Sequence, residues 1–320
     1  MECVPGLRGL ARVLVVACAL ALVFAAVASA DWGGGDPPTN YKPGKLPFAC
    51  QKAPTGKTCI NAGVYYLDKA RAKLGLPAYA LPADFPSLSA PEQMFVLTNL
   101  DRTQYGLPPV PGLTAALNND AQESGVGIDA DPSPSDPSIE DYSANWAGAF
   151  DNAPLAYEAW LYDDGLGSDN LDCTPSDQSG CWGHRHDVLW KFPSEPLGMG
   201  ASRGLDQNRQ VGYAMLIGGG PSYSPTYSYT WSQAVADGAG THVYKPGVPN
   251  TAVCDVPVVI GKTLPAAKRI IARAHCGLGK VTRAYTPYVK GIVILQSLQP
   301  GKVLAPGTKI KLILSKGPRR

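Results

Sequence analysis

Histidine is scarce in this chain, with four in 320 residues. No H-E-x-x-H segment occurs, so a zinc-protease helix has no basis in the sequence. No cysteine pair has C-x-x-C spacing, which weakens a structural zinc site. From Thr251 to Arg320 there is a single acid, Asp255. No internal repeat is long enough for a solenoid. No nucleic-acid recognition motif appears.

What is present points to an exported chain of about two domains, at roughly 150 residues per domain. Apolar residues make up 45%, enough for a core, and 30 prolines with 35 glycines imply long ordered loops. Arg8 and Arg12 precede an apolar run from Val13 to Val27, which ends in Ala28-Ser29-Ala30 before Asp31. This is the pattern of a cleaved secretion signal over residues 1–30. The run is short for a membrane span. Val15-Val16-Ala17-Cys18 is spaced like a lipidation site, but the apolar run continues well past Cys18, which favours plain secretion. Cleavage removes Cys3 and Cys18 and leaves Cys50, Cys59, Cys173, Cys181, Cys254 and Cys276. An even count in an exported chain reads as disulfides, and sequence neighbours suggest the local bridges Cys50–Cys59, Cys173–Cys181 and Cys254–Cys276. Each would contribute ~2–3 kcal/mol by closing a small loop.

Charge is divided unevenly. Residues 251–320 carry 13 Lys and Arg against Asp255, whereas residues 31–250 carry 13 against 24 acids. The basic segment would be drawn to an anionic polymer or surface, or would dock on its own acidic neighbour.

Residues 31–47, rich in Gly, Pro and Lys, read as a flexible lead-in. Ile60, Val64, Leu67 and Leu74 share one helical face, and Gly75 ends it. Ser89-Ala90-Pro91-Glu92 is a capping box that opens a second helix to about Tyr105. A third, short helix is expected over Leu113 to Glu123, and a fourth opens at Asn152-Ala153-Pro154. In the fourth, Asp163 follows Ala156 and Trp160 on the inward stripe. Asp163 and Asp164 then sit at a helix C-terminus, which the macrodipole disfavours. Arg185 or a histidine would have to compensate them. Gly183-His184-Arg185 begins a short helix. Leu197–Ala201, Gln210–Ile217 and Tyr227–Val235 read as strands. The body is therefore α+β, helices followed by strands. Residues 239–250 form a Gly/Pro linker. A strand at Val256–Val259, a helix capped by Thr263 and strands from Val281 onward complete the chain.

Two resemblances rest on these residues. Val256-Pro257-Val258-Val259-Ile260-Gly261, Leu264-x-x-Ala267-x-x-Ile270, Gly291 through Gly301 and Gly307-Thr308-Lys309-Ile310 resemble a PASTA domain over 251–320. The resemblance implies association with peptidoglycan or its fragments. Residues 48–238 resemble the bacterial branch of the CAP superfamily (cysteine-rich secretory and pathogenesis-related proteins, SCP-like), an α-β-α sandwich. The residues concerned are Asn99-x-x-Arg102-x-x-x-Gly106-Leu107-x-Pro109, Ala144-Asn145-Trp146, Ala156 to Trp160, Gly183-His184-Arg185-x-x-x-Leu189, Leu197 to Gly200 and Tyr229 to Gln233. Family members line a cleft with two histidines and two acids. Here His184 matches the second histidine, Asp120 stands where the first would be, Ala144 replaces a glutamate and Asp163 falls where some members carry a helical glutamate. His184, Asp120 and Asp163 could still hold a divalent metal such as zinc through N and O donors.

These features support a secreted, wall-associated protein whose cleft around His184 binds a ligand without catalysis. Its partners would be peptidoglycan or another anionic wall polymer, and neither nucleic acid nor a membrane span in the mature chain. The rival is a hydrolase of wall polymers or peptides. There His184 is a general base oriented by Asp163, Asp120 is a second acid, and Ser143 is the one nearby nucleophile. His186 lies two residues from His184 on a short helix and should point elsewhere. Composition does not define the oligomeric state.

Overall fold

The computed structural model describes residues 35–319, so the secretion signal expected over residues 1–30 lies outside the described residues. Among the described residues no helix is long and apolar enough to cross a membrane.

The body is a three-layer α-β-α arrangement. Its sheet has the order β2-β4-β3-β1-β5, formed by Gly112–Thr114 (β1), Asp141–Gly148 (β2), Leu197–Leu205 (β3), Val211–Gly219 (β4) and Tyr227–Thr230 (β5). β4 is antiparallel to both neighbours, pairing Ala214 with Trp146 on one side and with Ser202 on the other. Strand alternation divides the core between two faces. Tyr213, Met215 and Ile217 join the larger cluster with Val64, Phe95 and Trp160. Ala214 and Leu216 join Leu117, Ala121 and Val126 on the other side.

Three helices cover the larger face: Lys57–Lys73 (α1), Ala90–Gln104 (α2) and Ala153–Tyr162 (α4). The Ser89–Glu92 capping box forms as its spacing predicts, and Asn152 caps α4 by accepting from the Leu155 N–H. Ala115–Asp120 (α3) covers the opposite face and continues into a π-helical turn, Ala121–Val126. At Gly200 of β3 a Cβ would stand 2.1 Å from the Leu117 carbonyl carbon, so only glycine permits this approach of α3 to the sheet.

A buried polar knot ties α1 to α2. Arg71 pairs with Asp101, whose other oxygen accepts from Tyr79 at 2.5 Å and Tyr157 at 2.9 Å. Arg71 also lies 4.1 Å from the Tyr79 ring centroid. The pair is buried, and the surrounding donors satisfy the carboxylate that burial would otherwise penalise.

Several boundaries differ from the sequence expectations. The stretch expected as a strand to Val235 turns at Thr230 into the helix Trp231–Ala236 (α6), because Thr230 and Gln233 form a second capping box. The β2 strand escaped the sequence reading because small and polar residues interrupt its apolar pattern. Residues 35–47 are not free. Tyr41 donates its N–H to the Tyr162 carbonyl at 2.7 Å, and Asn40 accepts from the Gly165 N–H at 2.8 Å. One backbone bond and one side-chain bond to the backbone thus help to hold this segment on the body. The expected linker also begins against the body, where His242 Nδ1 meets the Leu81 carbonyl at 2.8 Å and the Tyr244 hydroxyl donates to Asn61 at 2.6 Å.

The C-terminal segment has its own core, built from Val256, Val259, Ala267, Ile271, Val293, Ile310, Leu312 and Leu314. Its sheet has the order β7-β10-β8, with Lys309–Ser315 (β10) between Gly277–Ala284 (β7) and Val293–Gln296 (β8). Cys254–Asp255 (β6) pairs with Val303–Leu304 (β9), while Val256–Val259, expected as a strand, lies just beyond β6. The helix Leu264–Arg273 (α7) packs Ala267 and Ile271 inward. All three expected disulfides are present: Cys50–Cys59, Cys173–Cys181 and Cys254–Cys276.

Candidate functional site

The helix Gly183–Val188 (α5) is six residues long, too short to hold its position alone, and neighbouring elements fix it. Trp182 enters it in the left-handed region at φ 62°, its ring against Gly165, where a Cβ would come within 2.6 Å of the indole. From β2, Asn145 donates to the His184 carbonyl at 2.8 Å and Ser143 Oγ donates to the Asp187 carbonyl at 2.8 Å. From α2, Arg102 Nη1 reaches past the helix end to the carbonyls of Val188 at 3.0 Å and Trp190 at 2.9 Å. Asn99 braces the adjoining loop through both the N–H and the carbonyl of Val110. Arg102 of the N-x-x-R segment and Asn145 of the A-N-W segment are therefore supports for α5, while Asn99 holds the loop at Val110. Arg185 is buried, donates to Leu161 O at 3.0 Å and to the Tyr105 hydroxyl at 2.7 Å, and faces the Tyr105 ring at 5.2 Å.

His184 meets Asp164, not Asp163. Its Nδ1 lies 2.7 Å from Asp164 Oδ1, and its backbone N–H donates to Oδ2 at 3.1 Å. Asn170 donates to the same carboxylate at 2.8 Å and also binds Gly180 O at 3.0 Å. The Cys173–Cys181 loop is thereby drawn against the pair. The compensation that the acidic end of α4 requires thus comes from His184 and from the Arg185 backbone N–H, while the Arg185 guanidinium bonds elsewhere. His184 keeps 18% of its side-chain surface exposed and Asp164 3%.

Burial alone would depress the imidazole pKa. The Asp164 hydrogen bond, with the charges of Asp164, Asp131 and Asp187, outweighs burial and raises it. Burial pushes Asp164 upward, opposed by the donors from His184. The hydrogen bond to Asp164 thus favours the protonated ring over the neutral one. Asp187 is pushed up to about 7 by burial, with His184 opposing and Asp131 and Asp164 reinforcing.

Asp163, placed by the sequence beside His184, is instead half-buried at the end of α4. Its Oδ1 has no hydrogen-bond partner among the described residues. Burial, opposed by Lys42 and reinforced by Asp169 and Asp164, pushes it up to about 6. Inward periodicity was the wrong guide here, because the helix unwinds at Asp163 and the next residue swings towards α5. Asp120 lies in the opposite layer and accepts from the Ser135 N–H at 3.0 Å. Thus His184, Asp120 and Asp163 are not brought together, and no group of three or more His, Cys, Asp or Glu suited to a metal occurs among the described residues. The donor set does not fit a zinc ion. His186 points away from His184, with Nε2 2.8 Å from Asp36.

Neither serine available to a hydrolase is poised as a nucleophile. Ser143 is committed to the Asp187 carbonyl. Gly200-Ala201-Ser202-Arg203-Gly204 has G-x-S-x-G spacing. It runs along β3 and not through a strand-to-helix turn, and Ser202 Oγ donates to Gln122 at 2.6 Å.

In the C-terminal segment β10 runs parallel to β7 and antiparallel to β8. Gln296 organises one end, accepting from the Val259 N–H and donating to Pro257 O and Leu298 O, each at 2.9 Å. Residues 255–316 match the PASTA domain family. This segment is a PASTA domain. The match does not touch the body. A solved structure described as the entire extracellular region of the Ser/Thr kinase PrkC from Staphylococcus aureus shares 31% identity with this chain. It covers 20% of this chain and 23% of that one, with a TM-score of 0.19. The chain thus spans less than a quarter of that structure's length. A comparison with curated proteins found no match. The PASTA domain and the three disulfides fit an oxidising extracellular setting.

Proposed function

We propose that this is a secreted cell-envelope protein whose PASTA domain associates with peptidoglycan while its CAP-like body presents α5 as a binding surface. The observation that carries the reading is the PASTA domain at residues 255–316, joined to a separately cored body. The body's three layers agree with the sandwich that the CAP resemblance implies, and its motif residues Asn99, Arg102 and Asn145 act as structural supports. A non-catalytic role is favoured because Ser143 and Ser202 are both spent on internal hydrogen bonds. The hydrolase reading draws on one observation, the His184–Asp164 pair, which could orient a general base.

Co-sedimentation of the mature chain and of residues 251–320 with purified peptidoglycan across a salt series tests the proposal. Sedimentation of both, persisting at high salt, supports it. Binding that disappears with salt indicates generic charge attraction, and absence of binding removes the wall assignment.

A further inference from the structure

At the far end of the PASTA sheet, the last residues of β7 and β10 leave an open groove of about 670 Å³. Arg283, Tyr285, Thr286, Lys316 and Arg319 are among the residues lining it. Tyr285 is 53% exposed. Lys316 Nζ stands 4.8 Å and the Arg319 guanidinium 5.6 Å from its ring centroid. Backbone pairing fixes the frame, with the Lys316 N–H on Ala284 O at 2.7 Å and the Thr286 N–H on Gly317 O at 3.1 Å.

What matters is how these cations are held. A carboxylate partner would both position and neutralise them. An aromatic face positions them and leaves their charge available. Among the described residues no ion pair joins Arg283, Lys316 or Arg319 to an acid. The domain's one acid, Asp255, lies outside the groove. Three cations lining one groove suit a polyanion, whose successive singly charged groups can each meet one of them, and the planar guanidinium groups supply forked donors for the two non-bridging oxygens of a phosphodiester.

We propose that this groove binds the phosphate groups of a phosphodiester-linked wall glycopolymer. The inference rests on the reading of the PASTA domain as a wall-associated module, and it names the ligand class of one surface on it.

The test is binding of the mature chain, in parallel, to poly(glycerol phosphate), to polygalacturonate, and to peptidoglycan stripped of phosphate polymers. Three variants are compared: Tyr285→Leu, the pair Lys316→Gln with Arg319→Gln, and the pair Lys268→Gln with Arg269→Gln, which lies outside the groove. Poly(glycerol phosphate) should bind more tightly than polygalacturonate. Tyr285→Leu, which leaves net charge unchanged at an exposed site, should weaken phosphate-polymer binding about two- to fivefold. The groove pair should weaken it about tenfold and flatten its salt dependence, and the outside pair should change it less than about twofold. Equal effects from the two charge-removing pairs, no effect of Tyr285→Leu, or equal binding of polygalacturonate would overturn the groove assignment. Stripped peptidoglycan separates the two readings. If it is retained while groove variants bind normally, the wall reading stands and the groove assignment falls. If neither wall material is bound, both fall.

Discussion

Nδ1 of His184 stands 2.7 Å from Oδ1 of Asp164, and the backbone N–H of the same histidine donates to the other carboxylate oxygen at 3.1 Å. One carboxylate thus fixes both the ring and the first turn of α5. Asp164→Asn should lower the His184 titration midpoint, read by NMR of the ring Cε1–H, and should cost about 1–3 kcal/mol of stability. Asp163→Asn should leave that midpoint nearly in place. The sign follows from the raised imidazole pKa. The pair's contribution is fully present below about 6.5, the unfolded histidine value, and is lost as pH rises through the higher folded value. If Asp163→Asn moves the titration as far as Asp164→Asn, the pairing described here is wrong.

Ser143 separates the two functional readings. Its Oγ donates to the Asp187 carbonyl, 44 residues along the chain, and pins α5 to β2. Under the structural role, Ser143→Ala removes one hydrogen bond and costs about 0.5–1.5 kcal/mol. A nucleophile would lose essentially all turnover. Thermal unfolding and hydrolysis of a wall-peptide substrate, measured on the same preparation, discriminate. Turnover in the parent chain that vanishes in Ser143→Ala would establish the hydrolase.

Legibility in the sequence followed the range of the forces involved. The helices at Lys57 and Ala90 and the three disulfides were readable because caps, periodicity and cysteine spacing are local. The triad His184, Asp120 and Asp163 was not, because chain spacing cannot tell which of two adjacent aspartates turns towards a helix 20 residues away. Spacing also cannot show that α3 lies on the other side of the sheet. Asn99, Arg102 and Asn145 were legible as a pattern but not as a role. Arg102 and Asn145 make long-range bonds to backbone carbonyls and Asn99 clasps Val110 in the next loop, and no sequence rule marks those acceptors.

Arg102 tests that supporting role directly. It is buried and donates to Pro108 O at 3.1 Å as well as to the Val188 and Trp190 carbonyls. Lysine carries the charge but not the planar set of donors, so Arg102→Lys leaves buried carbonyls unpaired. The expected loss is roughly 2–4 kcal/mol, from unsatisfied groups at about 1–3 each. Hydrogen exchange should rise at α5 and the following loop more than at α1. Uniform exchange across the body would show that Arg102 contributes only global packing.

Glu158 sets the body's response to alkali. It is fully buried on α4, neither carboxyl oxygen has a hydrogen-bond partner among the described residues, and burial reinforced by Asp163 pushes it up to about 9. The acid is therefore neutral in the folded state at pH 7 but ionised once unfolded above about 4.5. Stability should fall as pH rises from about 4.5, at up to about 1.4 kcal/mol per pH unit from this group alone, and level off near 9 where the native group also ionises. Glu158→Leu removes the titration and the unpaired oxygens. It should be the more stable chain at pH 8, with the difference shrinking towards pH 4. Urea unfolding of both chains at pH 4, 6 and 8 gives the slope. Parallel pH profiles would mean that Glu158 finds a partner in solution and carries its charge when folded.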